Sequence, residues 1–490
     1  MAVYTPQLHA SMTLTPASVR AAVLEQTERT RQSSKADIER FITESELRII
    51  SLDSQINALT ELRDLQRACV LALRYIISPI RTLPVELVAE IFDLAIEDKT
   101  HIHDAHRISQ VCADWRQVAH KTPRLWIRPL RVNLCKKENV SDGLKTWLAR
   151  SAPMPIMIRM SFLPGLRDIS AGILEEVLRV APRLGSLQIS TILAAPSSLV
   201  RQLGQCRLAS LEELDLGRID DEIDSTPLSF TTVPRLRKLR IINCPIAYQI
   251  LVPWAQLTDL TVSASPDVTY GILSQCANLL KAVVITSRWA PLPVVNQTIL
   301  FFSQLHTLSL DFLASSEHIA SFFDYLSTPL LQDLCLNSNP VHWPQAHFTA
   351  FQLRTPNITR LEFGYSASMT SDDLVAAVRH ASSLTHLILT SCDNVFDDTF
   401  ICTLHYQDGV TPLVPRLHNL VVSSEMADFT EDVLAGMIAS RWWTDTELDS
   451  EVTPPAVARW THVEFDIEGY EWGPQFGDIL KDIPSDILSY

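Results

Sequence analysis

Histidine and aspartate side chains concentrate at one place in the chain where their types could bind a metal ion. The run from His101 through His103 to His106 supplies three imidazoles, and Asp104 adds a carboxylate, which together would be enough ligands for zinc. Histidines spaced two and then three residues apart match no helix-borne catalytic arrangement, and no cysteine pair accompanies them. We therefore expect a solvated loop between helices here, with no bound metal, and we expect no cofactor elsewhere in the chain.

Motifs that present a catalytic nucleophile or cradle a nucleotide phosphate are absent from the sequence. It contains no GxSxG elbow, no P-loop, no GxGxxG and no HExxH. Its nine cysteines stand singly without a CxxC pair, which is typical of the reduced thiols of an intracellular protein. We expect a protein without enzymatic activity of its own.

Composition and charge restrict the class of partner. The net charge of −15 argues against nucleic acid, because binding a polyanion requires a basic surface. No apolar run is long enough to span a membrane, and the first residues do not resemble a signal peptide, so we expect an intracellular protein of the cytoplasm, the nucleus or both. Residues 420–490 contain 15 acidic and 3 basic residues, a local charge of −12. This asymmetry suggests a basic protein target whose binding weakens with salt.

The elements that organise the chain begin between Ile80 and Trp126. Apolar residues at helical spacing follow Pro84, and a second set continues to Val118, before Pro123 ends the pattern. Two short amphipathic helices cannot bury this much apolar surface against each other. Something outside the segment must cover the remainder.

Three sequence blocks in this segment resemble the F-box family. They are LPxELxxEIF from Leu83, VCxxWRxVA from Val111 and PRLW from Pro123, and the preceding SPIRxLP is similar to the fungal branch of the family. The resemblance implies docking on the Skp adaptor of a Skp–cullin–F-box ubiquitin ligase. The residues that match the family pattern in this role are Leu83, Pro84, Leu87, Ile91, Phe92, Val111, Trp115 and Trp126. The polar, histidine-rich stretch 97–106 departs from the acidic–leucine link of many members.

A long helical segment precedes these blocks. Residues 18–77 contain neither proline nor glycine, and apolar residues from Ile38 to Leu59 follow heptad spacing, with Ser45 at one seam position. After Leu59 the seam slips by about one position. Two alternatives remain open: a helix that folds back on the rest of the chain, or a short coiled coil that dimerises the protein.

The remainder of the chain repeats one pattern, an apolar residue at positions 1, 4 and 6 of a six-residue unit. Its eleven copies, most of them 21–27 residues apart, start at Leu184, Leu211, Leu236, Leu257, Leu280, Leu305, Leu331, Ile358, Leu384, Leu417 and Trp460. They resemble irregular leucine-rich repeats. Alternating positions predict stacked parallel strands with an apolar inner side. We also predict strands at 130–134 and 155–160, and helices at 141–149, 314–326, 372–380 and 429–439.

Together these segments predict an α/β fold class: an N-terminal helical or coiled-coil segment, a three-helix F-box and a leucine-rich-repeat solenoid with parallel inner strands and outer helices. The predicted boundaries are 1–17 for a disordered lead-in, 18–77 for the long helix or coiled coil, 78–128 for the F-box and 129–490 for the repeat domain with its acidic C-terminal region.

Outward positions of the repeat strands define a candidate target-binding face. Its members are Asp215, Lys238, Arg240, Asp259, Ser309, Asp333, Arg360, Glu362, His386, Asn419 and Glu464, together with Glu213, Thr307 and His462. Such mixed polarity suits recognition of a protein or peptide. The alternative is an ordinary solvated sheet face, which composition alone does not distinguish.

Two alternatives are also open for Arg441-Trp442-Trp443, namely an anchor for a basic partner or packing under a terminal cap.

The predicted function is a substrate-recognition adaptor, which binds the Skp adaptor and cullin core through the F-box and a protein target through the repeats. The alternative is a ligase-independent scaffold that self-associates through its N-terminal helix as a homodimer.

Overall fold

A computed structural model describes most of the chain. The described residues are 20–21, 23–25, 35–97, 100–134, 140–161, 170–190, 194–219, 227–242, 250–286, 299–312, 319–338, 342–366, 368–392, 395–426, 428–445 and 455–490. They belong to two compact units, Met1–Glu90 and Ile91–Tyr490.

The first unit contains one long helix, α1, at Lys35–Ile76. Its 42 residues include no proline or glycine, so nothing in the sequence interrupts the backbone hydrogen bonds, and at 1.5 Å per residue the helix is about 63 Å long. None of its residues is buried. The predicted long N-terminal helix is therefore confirmed.

A 3₁₀ turn at Pro79–Thr82 leads into helix α2, Val85–Leu94, and the division between the units passes through α2. Within the described residues no single helix is long and apolar enough to cross a membrane, while the pair 35–82 and 85–94, bent by 94°, meets both conditions only together.

Two further helices complete the segment that resembles an F-box: α3 at His101–Val111 and α4 at Ala113–Lys121. The three-helix F-box that the resemblance implied is present, whereas the apolar pattern alone favoured one continuous helix across Cys112, which was wrong. Cys112 has extended backbone angles (φ −157°, ψ 175°), and its Sγ accepts a hydrogen bond from the backbone N–H of Trp115 at 3.4 Å. Cys112 thereby caps α4, which separates the second apolar block into two helices.

The expected loop over the histidine-rich run was also wrong, because His101, His103, Asp104 and His106 all lie on α3. The Thr100 hydroxyl donates to the Asp104 carboxylate at 2.5 Å, and Glu97 N–H donates to the same group at 3.4 Å. The first of these bonds is the main reason why the pKa of Asp104 lies below its usual value. An acidic residue held in the first turn also favours helix over loop.

In the described part of the second unit, fourteen strands form one sheet whose spatial order is the chain order. Every neighbouring pair is parallel. The strands are β1 Leu130–Asn133, β2 Ile156–Ser161, β3 Leu184–Ser190, β4 Glu213–Arg218, β5 Lys238–Ile242, β6 Asp259–Ser263, β7 Lys281–Thr286, β8 Thr307–Phe312, β9 Asp333–Ser338, β10 Arg360–Gly364, β11 His386–Thr390, β12 Asn419–Ser424, β13 His462–Ile467 and β14 Leu488–Ser489. This arrangement is that of a solenoid.

All eleven predicted units fall on strands of this sheet, β3 to β13, which confirms the parallel-strand fold. The fifth unit was placed one residue too late. Its inward positions are Leu279, Ala282 and Val284, which are buried, whereas Leu280 is 40% exposed. The apolar residues 282–285 are consecutive, so the sequence of β7 fits both phases. Only the register of β7 with Asp259–Ser263 decides between them.

Helices and short strands form the connections on the other side of the sheet. The helices are α5 Val140–Arg150, α6 Ala171–Arg179, α7 Ser197–Gly204, α8 Pro266–Leu273, α9 Ile319–Asp324, α10 Gln345–Arg354, α11 Ser371–Arg379, α12 Asp398–Leu404, α13 Glu431–Ala439 and α14 Pro474–Ile479. Two pairs of two-residue strands, at 228–229 with 250–251 and 300–301 with 326–327, replace helices in part of this layer.

The predicted helices at 141–149, 372–380 and 429–439 are confirmed as α5, α11 and α13. The helix predicted over 314–326 is shorter, since α9 ends at Asp324 and Leu326 begins a strand, while residues 313–318 lie outside the described part. Thr370 begins α11 with a reciprocal capping box to Asp373.

The core of the second unit lies between the sheet and these connections. The inward leucines of successive strands, such as Leu214, Leu239 and Leu260, are buried beside one another in register. Each fully buried leucine contributes about 1.5–3 kcal/mol relative to an exposed one. One repeat cannot bury its own apolar side, so the strands stabilise one another only as a stack.

Candidate functional site

Helix α2 carries apolar side chains on two opposite sides. Val88 and Phe92, four residues apart, are buried. Leu87, Ile91 and Leu94 follow the same helical spacing on another side, where they are 51%, 40% and 82% exposed. A helix that packs on one side needs only that side to be apolar, so the exposed apolar side is available to a partner.

The residues at the start of α2 differ in how exposed they are. Leu83 is half-buried and Pro84 is exposed, and Pro84 lies at the start of the helix, where its missing N–H costs no hydrogen bond. Val85 is exposed as well. These positions extend the apolar surface of α2 toward its N-terminus.

On α3 and α4 the two predicted contact residues differ in burial. Val111 is exposed at the end of α3, while Trp115 is half-buried. The Trp115 ring lies 4.8 Å from the Phe92 ring, centroid to centroid, with the planes tilted by 52°. Phe92 thus supports Trp115 from inside and presents no surface of its own.

Trp126 belongs to an interior cluster instead of a surface. Its indole N–H donates to the Ala119 carbonyl at 2.8 Å, and its ring meets the edge of Trp147 at 4.7 Å. The guanidinium of Arg150 lies 4.6 Å from the Trp126 ring centroid. Trp147 in turn donates to the Trp126 carbonyl at 2.8 Å. Trp126 therefore fixes α4 against α5 and the start of the sheet.

Among the described residues of the segment, three exposed large apolar residues were not among the predicted contacts: Val85, Leu94 and Ile102. Leu94 could have been found from the sequence, because it continues the spacing of Leu87 and Ile91 by one turn. Ile102 lies in the stretch that was expected to be a loop, so its helical position was not recognisable.

The histidine-rich run on α3 does not converge on one point. His101 is buried with its ring 5.9 Å from the Trp147 ring, whereas His106 is exposed and meets Gln110 at 2.7 Å. Asp104 is engaged by Thr100. Throughout the described residues, no group of three or more histidine, cysteine, aspartate or glutamate side chains could hold a metal ion.

The predicted target-binding residues form two rows across the solvent side of the sheet. The first row alternates in charge from strand to strand: Glu213 pairs in register with Lys238, then Asp259, Lys281 and, after Thr307, Asp333, Arg360, His386, Asn419 and His462. The second row contains Arg131, Arg159, Gln188, Asp215, Arg240, Thr261, Val283, Ser309, Cys335, Glu362, Ile388, Val421 and Glu464.

Four adjacent strands of the second row share a hydrogen-bond network. Arg159 Nε donates to Gln188 Oε1 at 2.6 Å, and Gln188 Nε2 donates to Asp215 Oδ2 at 3.0 Å. Arg240 Nη1 donates to the same oxygen at 3.4 Å. The backbone N–H of Gly217 donates to Asp215 Oδ1 at 2.9 Å from a β-bulge in which Gly217 has φ +57°. Asp215 is therefore buried by its partners, while Arg240 remains exposed.

The two rows border a shallow cavity of about 350 Å³ on β2 to β7. Its basic side chains are Arg159, Lys238, Arg240 and Lys281, and its acidic ones are Glu213, Asp215 and Asp259. Sequence reasoning missed Arg159 because β2 precedes the repeats, and it missed Lys281 because the fifth unit was placed one residue late. The cavity suits a partner that carries both charge signs.

Toward β13 the face becomes less basic. Arg360 Nη2 lies 3.4 Å from Glu362 Oε2, and His462 Nε2 lies 3.1 Å from Glu464 Oε2. The His386 ring lies 5.1 Å from that of His418. The pKa of His386 is lowered, first by burial and to a lesser extent by His418 and Arg360. Asp333 acts in the opposite direction and raises it.

Arg441-Trp442-Trp443 packs inside the C-terminal end of the unit, which favours the cap interpretation. Arg441 Nη2 donates to the Val414 carbonyl at 2.6 Å, and its guanidinium lies 5.1 Å from the Trp460 ring centroid. Burial lowers the pKa of Arg441 to about 10. Trp442 and Trp443 are half-buried, and the acidic residues 447, 449 and 451 lie outside the described residues.

One known protein family matches the segment that contains α2, α3 and α4. Residues 80–131 match the family described as F-box-like. A chain in the crystal structure of the Rad7 and Elc1 complex in yeast is similar to 62% of this chain and 94% of its own length, with 15% identity and a TM-score of 0.27. No curated protein matches the sequence.

The family match begins in the turn before α2 and ends in β1, so it spans α2, α3, α4 and the turn that holds Trp126. Sequence blocks, helices and family match agree over the same residues. Residues 80–131 of this chain are therefore an F-box-like domain.

Proposed function

We propose that this chain is a substrate-recognition adaptor of a Skp–cullin–F-box ubiquitin ligase. The F-box-like domain docks on the Skp adaptor, and the solvent side of the sheet binds a protein target. The observation that carries the first half is the exposed apolar side of α2, formed by Leu87, Ile91 and Leu94 within the matched residues.

Exposure divides the predicted docking residues into two roles. Leu87, Ile91, Val111 and the accessible part of Trp115 supply contact area, together with Leu83 and Pro84. Phe92 and Trp126 hold the helices in place beneath that area. Apolar residues at the centre of an interface dominate binding energy when they are rigidly supported.

The second half of the proposal rests on the two polar rows of the sheet. Side chains of both signs, spaced by one strand, suit a protein surface of complementary charge pattern better than a small molecule. The adaptor itself performs no chemistry in this proposal. Holding the target near the transfer machinery raises its effective concentration there. Such a ligase subunit acts inside the cell.

A basic target is favoured by the acidic residues of the last strands and turns, 15 against 3 basic in residues 420–490. Once a target is identified, its affinity is expected to fall as salt rises from 50 to 500 mM, because screening shortens the range of the attraction. Salt-independent binding would remove this part of the proposal.

The adaptor proposal is tested by capture from cell lysate followed by mass spectrometry. Wild type is compared with a Leu87→Asp, Ile91→Asp double variant, which places two charges on the exposed side of α2. Leu353→Asp is the control, because Leu353 is an exposed helical leucine on α10, outside the F-box-like domain. Circular dichroism verifies that all three proteins are folded.

Capture of a Skp adaptor and a cullin by wild type and by the control, but not by the double variant, is the expected result. Proteins that remain bound to the double variant are then candidate targets. Failure of wild type to capture either subunit would favour the second candidate, a ligase-independent scaffold. The observation that favours that candidate is helix α1, which has no buried residue and offers apolar side chains for self-association.

A further inference from the structure

Helix α1 exposes a line of large apolar side chains that the adaptor function does not use. Ile42, Ile49, Leu52, Ile56 and Leu59 are each at least half exposed, and none of the 42 residues of α1 is buried. An exposed line of large apolar side chains of this length indicates a binding surface. An isolated helix also gains little stability in water without packing.

The residue types along this line are those of a two-stranded coiled coil. With the spacing 4-3-4-3, the a positions are Ile42, Ile49 and Ile56, and the d positions include Leu52 and Leu59. Isoleucine at a with leucine at d favours parallel dimers over trimers and tetramers. The seam also contains Ile38 and Ser45, which both occupy d positions.

The seam continues beyond Leu59 in a shifted phase. One spacing of three in place of four carries it to Leu62, after which the 4-3 alternation resumes at Gln66, Cys69, Leu73 and Ile76. An irregularity of this kind changes the local winding of a coiled coil without ending it. The apolar line therefore extends over nearly the whole helix.

Charged residues beside the seam distinguish parallel from antiparallel pairing. The e positions of the first block are acidic at Glu39, Glu46 and Asp53, and Arg48 occupies a g position. In a parallel dimer g faces the e position five residues later in the other chain, so Arg48 faces Asp53 twice by symmetry. In an antiparallel dimer the acidic e positions would face one another, which is unfavourable.

We propose that α1 forms a parallel, in-register coiled coil with α1 of a second copy of this chain. Each chain continues from Ile76 directly into the F-box-like domain, so the two copies of that domain begin at the same end of the coiled coil. A dimer brings two recognition surfaces to one target or one target complex, which raises apparent affinity through effective concentration. The proposal is independent of whether the F-box-like domain binds a Skp adaptor.

The register makes a specific prediction for Cys69, an exposed free cysteine at a seam position. In the parallel dimer the two Cys69 thiols face each other, and mild oxidation is expected to join the chains. In an antiparallel dimer centred on the helix, the two residues would lie about 40 Å apart at 1.5 Å per residue. Cys69→Ser controls for the other cysteines and must abolish the cross-link.

Light scattering and cross-linking of the purified full-length chain test the proposal. Wild type is expected at about 110 kDa, twice the mass of the 55.0 kDa chain, with a Cys69-dependent cross-link. Ile49→Asp is expected to give a monomer, whereas Ser54→Asp, an f position facing away from the seam, leaves the dimer intact. Ser45→Leu is expected to tighten the dimer.

A monomeric wild type at micromolar concentration would overturn the proposal. So would a dimer that Ile49→Asp leaves intact, or a trimer. A dimer without a cross-link at Cys69 would overturn the parallel register. Charge reversal gives a second measurement: Arg48→Asp and Asp53→Arg each weaken the dimer, and the double exchange restores it if the two residues face each other.

Discussion

Phe92 and Leu94 lie two residues apart on α2 but point to opposite sides of the helix. Phe92 is buried against Trp115, while Leu94 is 82% exposed. Phe92→Ala is expected to lower the free energy of unfolding by about 3–5 kcal/mol. Leu94→Ala is expected to change it by less than about 0.5 kcal/mol and yet to weaken binding of a Skp adaptor.

Urea unfolding followed by tryptophan fluorescence measures the first quantity, and titration with the adaptor measures the second. Val88→Ala provides a smaller buried truncation on the same helix as a control. Equal losses of stability in the Phe92 and Leu94 variants would show that the two sides of α2 are not distinguished as described.

We expect His386 to make the stability of the second unit depend on pH. Its pKa in the folded protein lies below the usual 6.5, mainly through burial, so the unfolded chain binds the proton more readily. Its contribution to stability is therefore present above the unfolded pKa and is lost as pH falls below about 6.5. His386→Gln should reduce the loss of stability between pH 8 and pH 5.

Urea unfolding at both pH values measures this difference, and His342→Gln, at an exposed position, provides the control. An unchanged pH dependence in His386→Gln would contradict the assignment. Burial is the main cause of the lowered pKa of His386; His418 and Arg360 also oppose protonation, and Asp333 favours it.

At this scale the sequence identified residue types better than residue roles. The motif blocks indicated Leu87 and Phe92 alike, because spacing and type do not tell which side chain points inward. Only the packing of Phe92 against Trp115, and of Trp126 against Trp147, separates supporting residues from exposed ones. The burial of Asp215 was likewise not predictable from its own strand, because it depends on contacts with Gln188 and Arg240 on neighbouring strands.

The elements themselves were largely predictable, because a strand that is apolar on one side has a period of two. Strand β7 is the exception, because the sequence did not show which of its residues point inward. Leu279→Ala is expected to cost about 2–5 kcal/mol, because Leu279 is fully buried in the stack. Leu280→Ala is expected to cost less than about 0.5 kcal/mol.

Thermal and urea unfolding of the two variants give a direct comparison of the two phases. A larger loss for Leu280→Ala would restore the phase inferred from the sequence. The ambiguity has a physical cause: Val283 and Ile285 place apolar residues on the solvent side, while Ala282 is the smallest of the inward residues.

The break at Cys112 was not predictable from periodicity. Ile108, Val111, Trp115 and Val118 fit one helix, and the interruption depends on a cap made by the Cys112 thiol and on extended backbone angles. Cysteine is not among the usual capping residues. For the histidine-rich run the error was the reverse: its polarity suggested a loop, whereas Thr100 and Asp104 begin a helix there.

Across the whole molecule, the order of the segments followed from the sequence: a long helix, an F-box-like domain and a stack of parallel strands in chain order. The repeat pattern fixes this order, because each unit contacts only its neighbours. The distribution of charge over the assembled sheet did not follow, since Arg131, Arg159 and Lys281 join the face only through strand pairing.

The proposed binding of a Skp adaptor by the exposed side of α2 can be measured with purified proteins. Its most direct test is isothermal titration of the purified chain with a purified Skp adaptor. Wild type and Leu353→Asp are expected to bind equally, and the Leu87→Asp, Ile91→Asp variant at least about 100-fold more weakly, since each central apolar contact is worth about 2 kcal/mol. Absence of binding by wild type, or equal binding by the folded double variant, would contradict the claim.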